Sequence, residues 1–310
     1  MASEHPVQLG FTPKKILAWK NGYLAIGVDG ELQKLTHDYA PIDTFVKPFP
    51  MSIRNAAIIG EKLIATWLDP ELLLARMAAI NLNETLVQGV ERSELRVRRT
   101  IDKALHPAGS TWSHVLDAEP LALDSDERSF TFVLWKKGIY NMSVDAHEKW
   151  RCKEPQWKQL SKLPKAEETV DVIVKQDSVE IWSRGLGVNR YNLESGDLES
   201  SDVINSDGFL LNVFNYGEKY LLQLNDNEVA MLDGKNITLR ARLSGPISDA
   251  YWCEKKQGWY ISGWREIVFL AQNDFSKTTL DELPIYYDDA RNLALFNDSQ
   301  WRHVSLGEEE

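Results

Sequence analysis

Five basic side chains crowd one stretch of an otherwise acidic chain: Arg92, Arg96, Arg98, Arg99 and Lys103. Guanidinium groups at this density can grip carboxylates or phosphates through paired N–H donors. They are the best candidates for a partner-binding surface. The competing reading is that charges along an exposed strand edge keep it from pairing with other sheets. Other chemistry finds no foothold. A nucleophilic hydrolase needs Ser, His and a carboxylate brought together, or a strained Gly-x-Ser-x-Gly elbow, and the sequence has no such elbow. The six histidines (5, 37, 106, 114, 147 and 303) show neither His-x-His nor His-Glu-x-x-His spacing, so no metal is expected. Gly185-Leu186-Gly187 has no helix start behind it to cradle a phosphate. Asp124-Ser125-Asp126-Glu127 and Asn225-Asp226-Asn227-Glu228 look like pieces of calcium loops, but without the EF-hand glycine and closing glutamate they read as tight turns. Tyr286-Tyr287-Asp288-Asp289 is either a small acidic site or a strand end and its turn. No catalytic residue and no cofactor is expected.

Composition narrows the class. With 310 residues, 43% apolar and a net charge of −11, the chain is globular, and its acidity disfavours nucleic acid and anionic membranes. There is no apolar run of membrane-spanning length. The opening Met1-Ala2-Ser3-Glu4-His5-Pro6 lacks the basic and apolar segments of a secretory signal, so a cytoplasmic protein is expected. Cys152 and Cys253 are too few for a disulfide framework and are expected as buried free thiols, with a single disulfide the alternative.

The elements that would position any site come from a repeat. A short apolar run opening on a large residue recurs at Tyr23, Leu63, Phe130, Val179, Tyr220, Trp259 and Leu293, at gaps of 40, 67, 49, 41, 39 and 34 residues. Turn signals follow the runs and lead into a further strand: Val28-Asp29-Gly30, Trp135 to Gly138, Trp264 to Glu266, and Asn297 to Gln300. A short strand often precedes the marker, as at Ile16–Trp19, Val172–Val174 and Ala250–Trp252. Runs such as Leu63–Leu68 and Phe130–Trp135 are nearly continuously apolar, as in a sheet covered on both faces. The expectation is an all-β chain forming a single β-propeller domain over residues 1–310, with seven blades of about four antiparallel strands; six or eight blades are the alternatives.

The long gap falls on an irregular insertion at about residues 77–112. There Leu95, Val97 and Ile101 fit one face of an edge strand, while Leu86, Val90, Val97, Ile101 and Leu105 also fit a helical stripe; the strand is preferred. Ring closure is expected to pair a strand within Pro6–Phe11 with the last blade. Gly307 to Glu310 reads as a solvated tail. Of the eleven tryptophans, Trp67, Trp135, Trp182 and Trp252 are expected between blades, and Trp112, Trp150, Trp157 and Trp301 at strand starts.

Two resemblances sit on this pattern. The segment Gly245-Pro246-Ile247 to Tyr251-Trp252, then Gly258 to Ser262-Gly263, then Ile267 to Leu270 resembles one WD40-type repeat. Its Gly-His and Trp-Asp dipeptides are absent, so the polar network they build in that family is not implied. Ser143-Val144-Asp145-Ala146-His147-Glu148-Lys149-Trp150 resembles an Asp-box of sialidase-like propellers, with His147 in place of the glycine. That motif implies a blade turn. The expected function is a non-catalytic scaffold that presents a rigid surface to protein partners. The alternative is a glycan-binding or glycan-hydrolysing sialidase-like propeller, which would need an aromatic-lined central pocket.

Overall fold

The recurring apolar run becomes the same structural part seven times. The computed structural model describes residues 6–71, 74–97 and 106–306, with only the backbone of Arg96 and Val97. Blade 1 holds β1 (Pro13–Trp19), β2 (Gly22–Gly27) and β3 (Leu32–Leu35); blade 2 holds β4 (Ile53–Ile59), β5 (Lys62–Asp69), β6 (Leu74–Asn81) and, after helix α1 (Arg92–Val97), β7 (Ser110–Leu116). Blade 3 is β8 (Pro120–Ser125), β9 (Ser129–Leu134), β10 (Gly138–Ser143) and β11 (Glu148–Cys152). Blade 4 is β12 (Thr169–Val174), β13 (Ser178–Ser183), β14 (Gly187–Asn192) and β15 (Leu198–Val203). Blade 5 is β16 (Leu210–Tyr216), β17 (Lys219–Leu224), β18 (Glu228–Asp233) and β19 (Asn236–Arg242). Blade 6 is β20 (Asp249–Cys253), β21 (Gly258–Gly263), β22 (Glu266–Ala271) and β23 (Asp274–Thr279); blade 7 is β24 (Pro284–Asp288), β25 (Leu293–Phe296) and β26 (Trp301–His303).

Each sheet is an antiparallel meander of three or four strands, and the chain is a seven-bladed β-propeller. All seven markers lie at the start of a blade's second strand. That strand is flanked within its sheet and covered by the neighbouring blades, so β9, β13 and β21 are buried along their whole length. First strands of successive blades neighbour one another around the axis, and β24 meets β1 to close the ring. In blade 1 the fourth-strand place is taken by residues 41–46, which bridge to β3 at Leu32–Val46 and Leu35–Pro41.

No single central core exists. Among the described residues the buried apolar side chains divide into seven clusters, one at each interface between adjacent blades. Each fully buried Leu, Ile, Val or Phe contributes about 1.5–3 kcal/mol by leaving water. Closure differs from the expected strand exchange. Leu9 and Phe11 pack into the cluster between blades 7 and 1, but their segment is not a strand. It is tied by the Leu9 N–H to Ser299 O (3.0 Å) and by the Ser299 hydroxyl to Phe11 O (2.5 Å). Both contacts fall on the turn before β26, so the segment crosses that turn instead of running along the three-residue strand.

The insertion also departs from expectation. Its connection runs from residue 82 to 109, and residues 92–97 form a helix where a strand was preferred. The helix has a start signal: the Glu94 carboxylate accepts the Glu91 backbone N–H at 3.4 Å, the reciprocal half of a capping box. Leu95, 1% exposed, then packs with Leu86 into the cluster between blades 1 and 2. Ile101, Leu105 and the Gly307 to Glu310 tail lie outside the described residues.

Not all tryptophans follow the sheets: Trp157 lies in the segment between β11 and β12, and Trp264 stands in the β21–β22 turn, 47% exposed. Trp67, Trp182 and Trp252 are buried between blades, as expected, and Trp150, Trp157 and Trp301 are buried as well. Trp135 is not: β9 stops at Leu134, and the indole stands in the following turn, 48% exposed, with Lys136 Nζ 4.5 Å above its ring. Both cysteines are free, Cys253 buried and Cys152 half-buried.

Candidate functional site

An antiparallel meander sorts its connections by face. The blade-to-blade segments and the turns between second and third strands emerge together on what we call the upper face. The first-to-second and third-to-fourth turns form the lower face. The lower face, where Tyr216 is exposed, is stitched between blades by ion pairs: Lys20–Glu61, Lys62–Asp145, Arg128–Glu194 and Lys175–Glu218. Such exposed pairs are individually weak. The upper face instead exposes large apolar groups: Trp135, Leu163, Phe209, Leu211 and Trp264.

At the centre of this face opens a channel of about 450 Å³. First strands are paired on one side only, so their free edges of N–H and C=O groups face it. Side chains of the same strands answer those edges blade by blade. Lys14 donates to Ile53 O (2.5 Å), Asn55 to Pro120 O (3.3 Å), and the carboxylates of Asp124 and Asp171 accept the N–H groups of Val174 (2.8 Å) and Val213 (3.3 Å). Burial raises the pKa of all three channel carboxyls. It pushes Asp171 up to about 7, with Asp124 adding repulsion, and Asp249 up to about 6; Asp124 itself is raised. The Lys15 ammonium pulls each of them partway back. Lys14 is lowered, by burial of its charged end and by repulsion from Arg54 and Lys15.

The channel continues outward. Arg54 and Val170 also line a depression of about 210 Å³, which shares Glu119, Leu121, Glu168 and Thr169 with an outer one of about 880 Å³ between blades 3 and 4. Trp135, Leu163 and Lys165 stand over the outer end, and Leu211 beside the inner one. The result is one furrow from rim to axis.

The residues singled out in the sequence are only partly placed. Arg92 is held by Asp69 (2.7 Å) and Glu71 (2.8 Å), whose segment forms the upper turn of blade 2. The side chain of Arg96, and all of Arg98, Arg99 and Lys103, lie outside the described residues. Asp126 accepts the N–H groups of Arg128 (2.7 Å) and Ser129 (2.6 Å), and Asn225 Oδ1 that of Phe209 (2.6 Å), so both calcium-like fragments are turns. Among the described residues no group of His, Cys, Asp and Glu has a metal-binding arrangement. Asp288 accepts the Tyr39 hydroxyl (2.7 Å) and Arg291 (2.9 Å), joining blades 7 and 1. The Asp-box-like segment is the β10–β11 turn, with Asp145 paired to Lys62 at 2.7 Å. The channel was missed in sequence, although a signal exists. Lys15, Asn55, Asp171 and Asn212 each lie eight residues before a marker.

A second charged group is buried outside the channel. Glu180, 2% exposed between blades 4 and 5, accepts the Tyr220 hydroxyl (2.9 Å) and pairs with Arg190 (2.6 Å) and Lys175 (3.1 Å). Burial, then the Glu180 charge, raises the Tyr220 phenol, which stays protonated as the donor.

Solved structures share this architecture. The β-propeller domain of Cps50 (Swd1) from Myceliophteria thermophila superposes with a TM-score of 0.66 at 10% identity, over 96% of this chain and 97% of that one. The WD40 propeller domain of Doa1 gives 0.63 at 8% identity, over 97% and 95%. BamB from Moraxella catarrhalis gives 0.60 at 8% identity, over 98% of both chains. At such identities the likeness is one of fold. No family model matches the sequence, and no curated protein does.

Proposed function

We propose that this propeller is a non-catalytic interaction module that takes a protein partner on its upper face. The observation that carries the reading is the asymmetry of the two faces. Both faces carry ion pairs, but the upper one leaves Trp135, Trp264, Phe209, Leu211 and Leu163 in water, against Tyr216 among the lower turns. Exposed tryptophan and phenylalanine on a rigid frame are the usual anchors of protein interfaces, and grouped apolar exposure marks interaction surfaces in soluble proteins. The likeness to WD40 propeller domains supports the frame. Within this reading the arginine-rich insertion supplies further contacts: Arg96, Arg98, Arg99 and Lys103 grip acidic groups, and Arg92 anchors helix α1.

The sialidase-like alternative draws no such support. Among the described residues lining the channel only Phe214 is aromatic. The carboxylates of Asp124 and Asp171 are occupied by backbone N–H groups.

Site-specific photo-crosslinking tests the reading. A crosslinking side chain at Trp135 or Trp264 is expected to trap one protein in host lysate, and the same group at Leu198 or Phe275 on the outer strands is not. Equal labelling from both sets, or none from the upper face, would overturn it.

A further inference from the structure

Three cations share the mouth of the channel in a chain whose net charge is −11. Lys14 and Arg54 sit at the strand starts and Lys15 just inside. Asp124, Asp171 and Asp249 line the same channel and attract Lys15, so the thin compensation is that of Lys14 and Arg54. Arg54 reaches Glu119 at 3.8 Å, a loose contact between two exposed side chains. Among the described residues the Lys14 ammonium is given only a backbone carbonyl at 2.5 Å, and burial together with the two neighbouring charges holds its pKa below the usual lysine range. Like charges held together this way oppose folding and favour an anion that enters among them.

The furrow shows the shape of what enters. It leaves the mouth at Arg54, passes between Leu121 and Leu211, and ends under Leu163 and Trp135. A small anion would use the mouth and leave the apolar residues of this mixed lining, Leu121, Leu163, Leu211 and Trp135, unused. A nucleic acid would bring many phosphates past Glu119, Glu154 and Glu168 and toward Asp124, Asp171 and Asp249. One carboxylate on an apolar strand of chain meets attraction at the mouth and burial along the wall.

We infer that the mouth and furrow together bind an extended acidic segment of a partner protein, one of its carboxylates lying among Lys14, Lys15 and Arg54. This rests on the proposal of an upper-face partner and adds its chemistry: Asp or Glu followed by Leu, Phe or Trp, read outward from the axis. Glu119 is the internal stand-in that the incoming carboxylate displaces from Arg54.

The test pans short random displayed peptides on the full-length protein. Enriched sequences are expected to carry Asp or Glu beside large apolar residues. Synthetic versions should lose at least about tenfold in affinity on the charge-reversed Lys14→Glu/Arg54→Glu variant. The neutral Lys14→Met/Arg54→Gln pair should give a smaller loss, and Lys20→Glu on the lower face none. Circular dichroism establishes that each variant is folded, and the neutral pair answers the question if the reversed pair is not. Peptides without acidic residues, no enrichment, or equal binding to both mouth variants would overturn the inference. A labelled single-stranded DNA that binds more tightly than the peptides would overturn it in favour of a polyanion. If crosslinks from Trp135 and Trp264 persist while the mouth variants change nothing, the upper-face reading stands and this inference falls. If the crosslinks are absent too, both fall.

Discussion

Replacing Asp171 with asparagine should make the propeller more stable in mild alkali and flatten its dependence on pH. In the folded chain, burial lifts this carboxyl from its ordinary 3.8 to about 7, against a partial pull from Lys15 and with added repulsion from Asp124. The native state therefore holds the proton more tightly than the unfolded chain does. The associated stability is fully present below the ordinary carboxyl value and is lost as pH rises through about 7. Between about pH 5 and about pH 8 the unfolded chain is ionised throughout, while the native Asp171 goes from neutral to charged. At about 1.4 kcal/mol for each pH unit crossed below its native value, the loss is about 2–3 kcal/mol. Asp249, at about 6, loses its own contribution earlier in the same range, about 1 kcal/mol. Urea denaturation followed by tryptophan fluorescence reads the effect. The wild type should weaken steadily across this range. Asp171→Asn should keep an acceptor for the Val172 or Val213 N–H and lose most of the slope, and Lys15→Met should steepen it. A wild-type stability that is flat or rises with pH, or an unchanged slope in Asp171→Asn, would refute the account of the channel.

Glu180→Gln removes the buried charge that faces Lys175 and Arg190, which keep Glu218 at 2.7 and 3.8 Å, and should cost about 1.5–3 kcal/mol. The exposed Glu218→Gln should stay within about 0.5 kcal/mol, and thermal unfolding of the two compares them. Trp67→Ala is expected to cost about 3–5 kcal/mol, whereas Trp135→Ala should leave the melting temperature nearly unchanged while abolishing crosslinks made from neighbouring upper-face positions. Leu9→Ala, at a site 3% exposed, should cost about 2–5 kcal/mol. Its loss of amide-exchange protection should concentrate in blades 7 and 1; uniform loss around the ring would count against the role given to that segment.

Blade number was legible because one strand per blade is buried from both sides, so its residues cannot alternate and stand out as apolar runs. Closure was not, because Leu9 and Phe11 hold the ring by packing and two hydrogen bonds, which no periodicity announces. The helix at Arg92–Val97 was misread because its cap is a glutamate, Glu91, where Ser or Thr would have flagged the start. Trp135 lies one residue beyond a buried strand, and that single step moves it from interior to surface. The channel was harder still. It takes one or two residues from each of several blades, and adjacent contributors such as Lys15, Asn55 and Asp171 are separated by at least 40 positions. Only alignment of the repeats on their markers brings them into one column. Acidity over the whole chain also concealed a small positive mouth.

The division of the apolar interior into seven shared clusters also sets an order of assembly. Six of them join segments that follow one another in sequence, so each can form as soon as two neighbouring blades exist, at a small cost in loop entropy. The seventh joins Leu9 and Phe11 to Leu293, Leu295 and Trp301, and must wait for nearly the whole chain. A chain that grows as an open arc and closes at one late seam stores its resistance to unfolding there. Tightening that seam should slow unfolding and leave the folding rate almost untouched. Stopped-flow measurement of both rates in a seam variant would decide it, and a change in the folding rate alone would place the seam among the first contacts made.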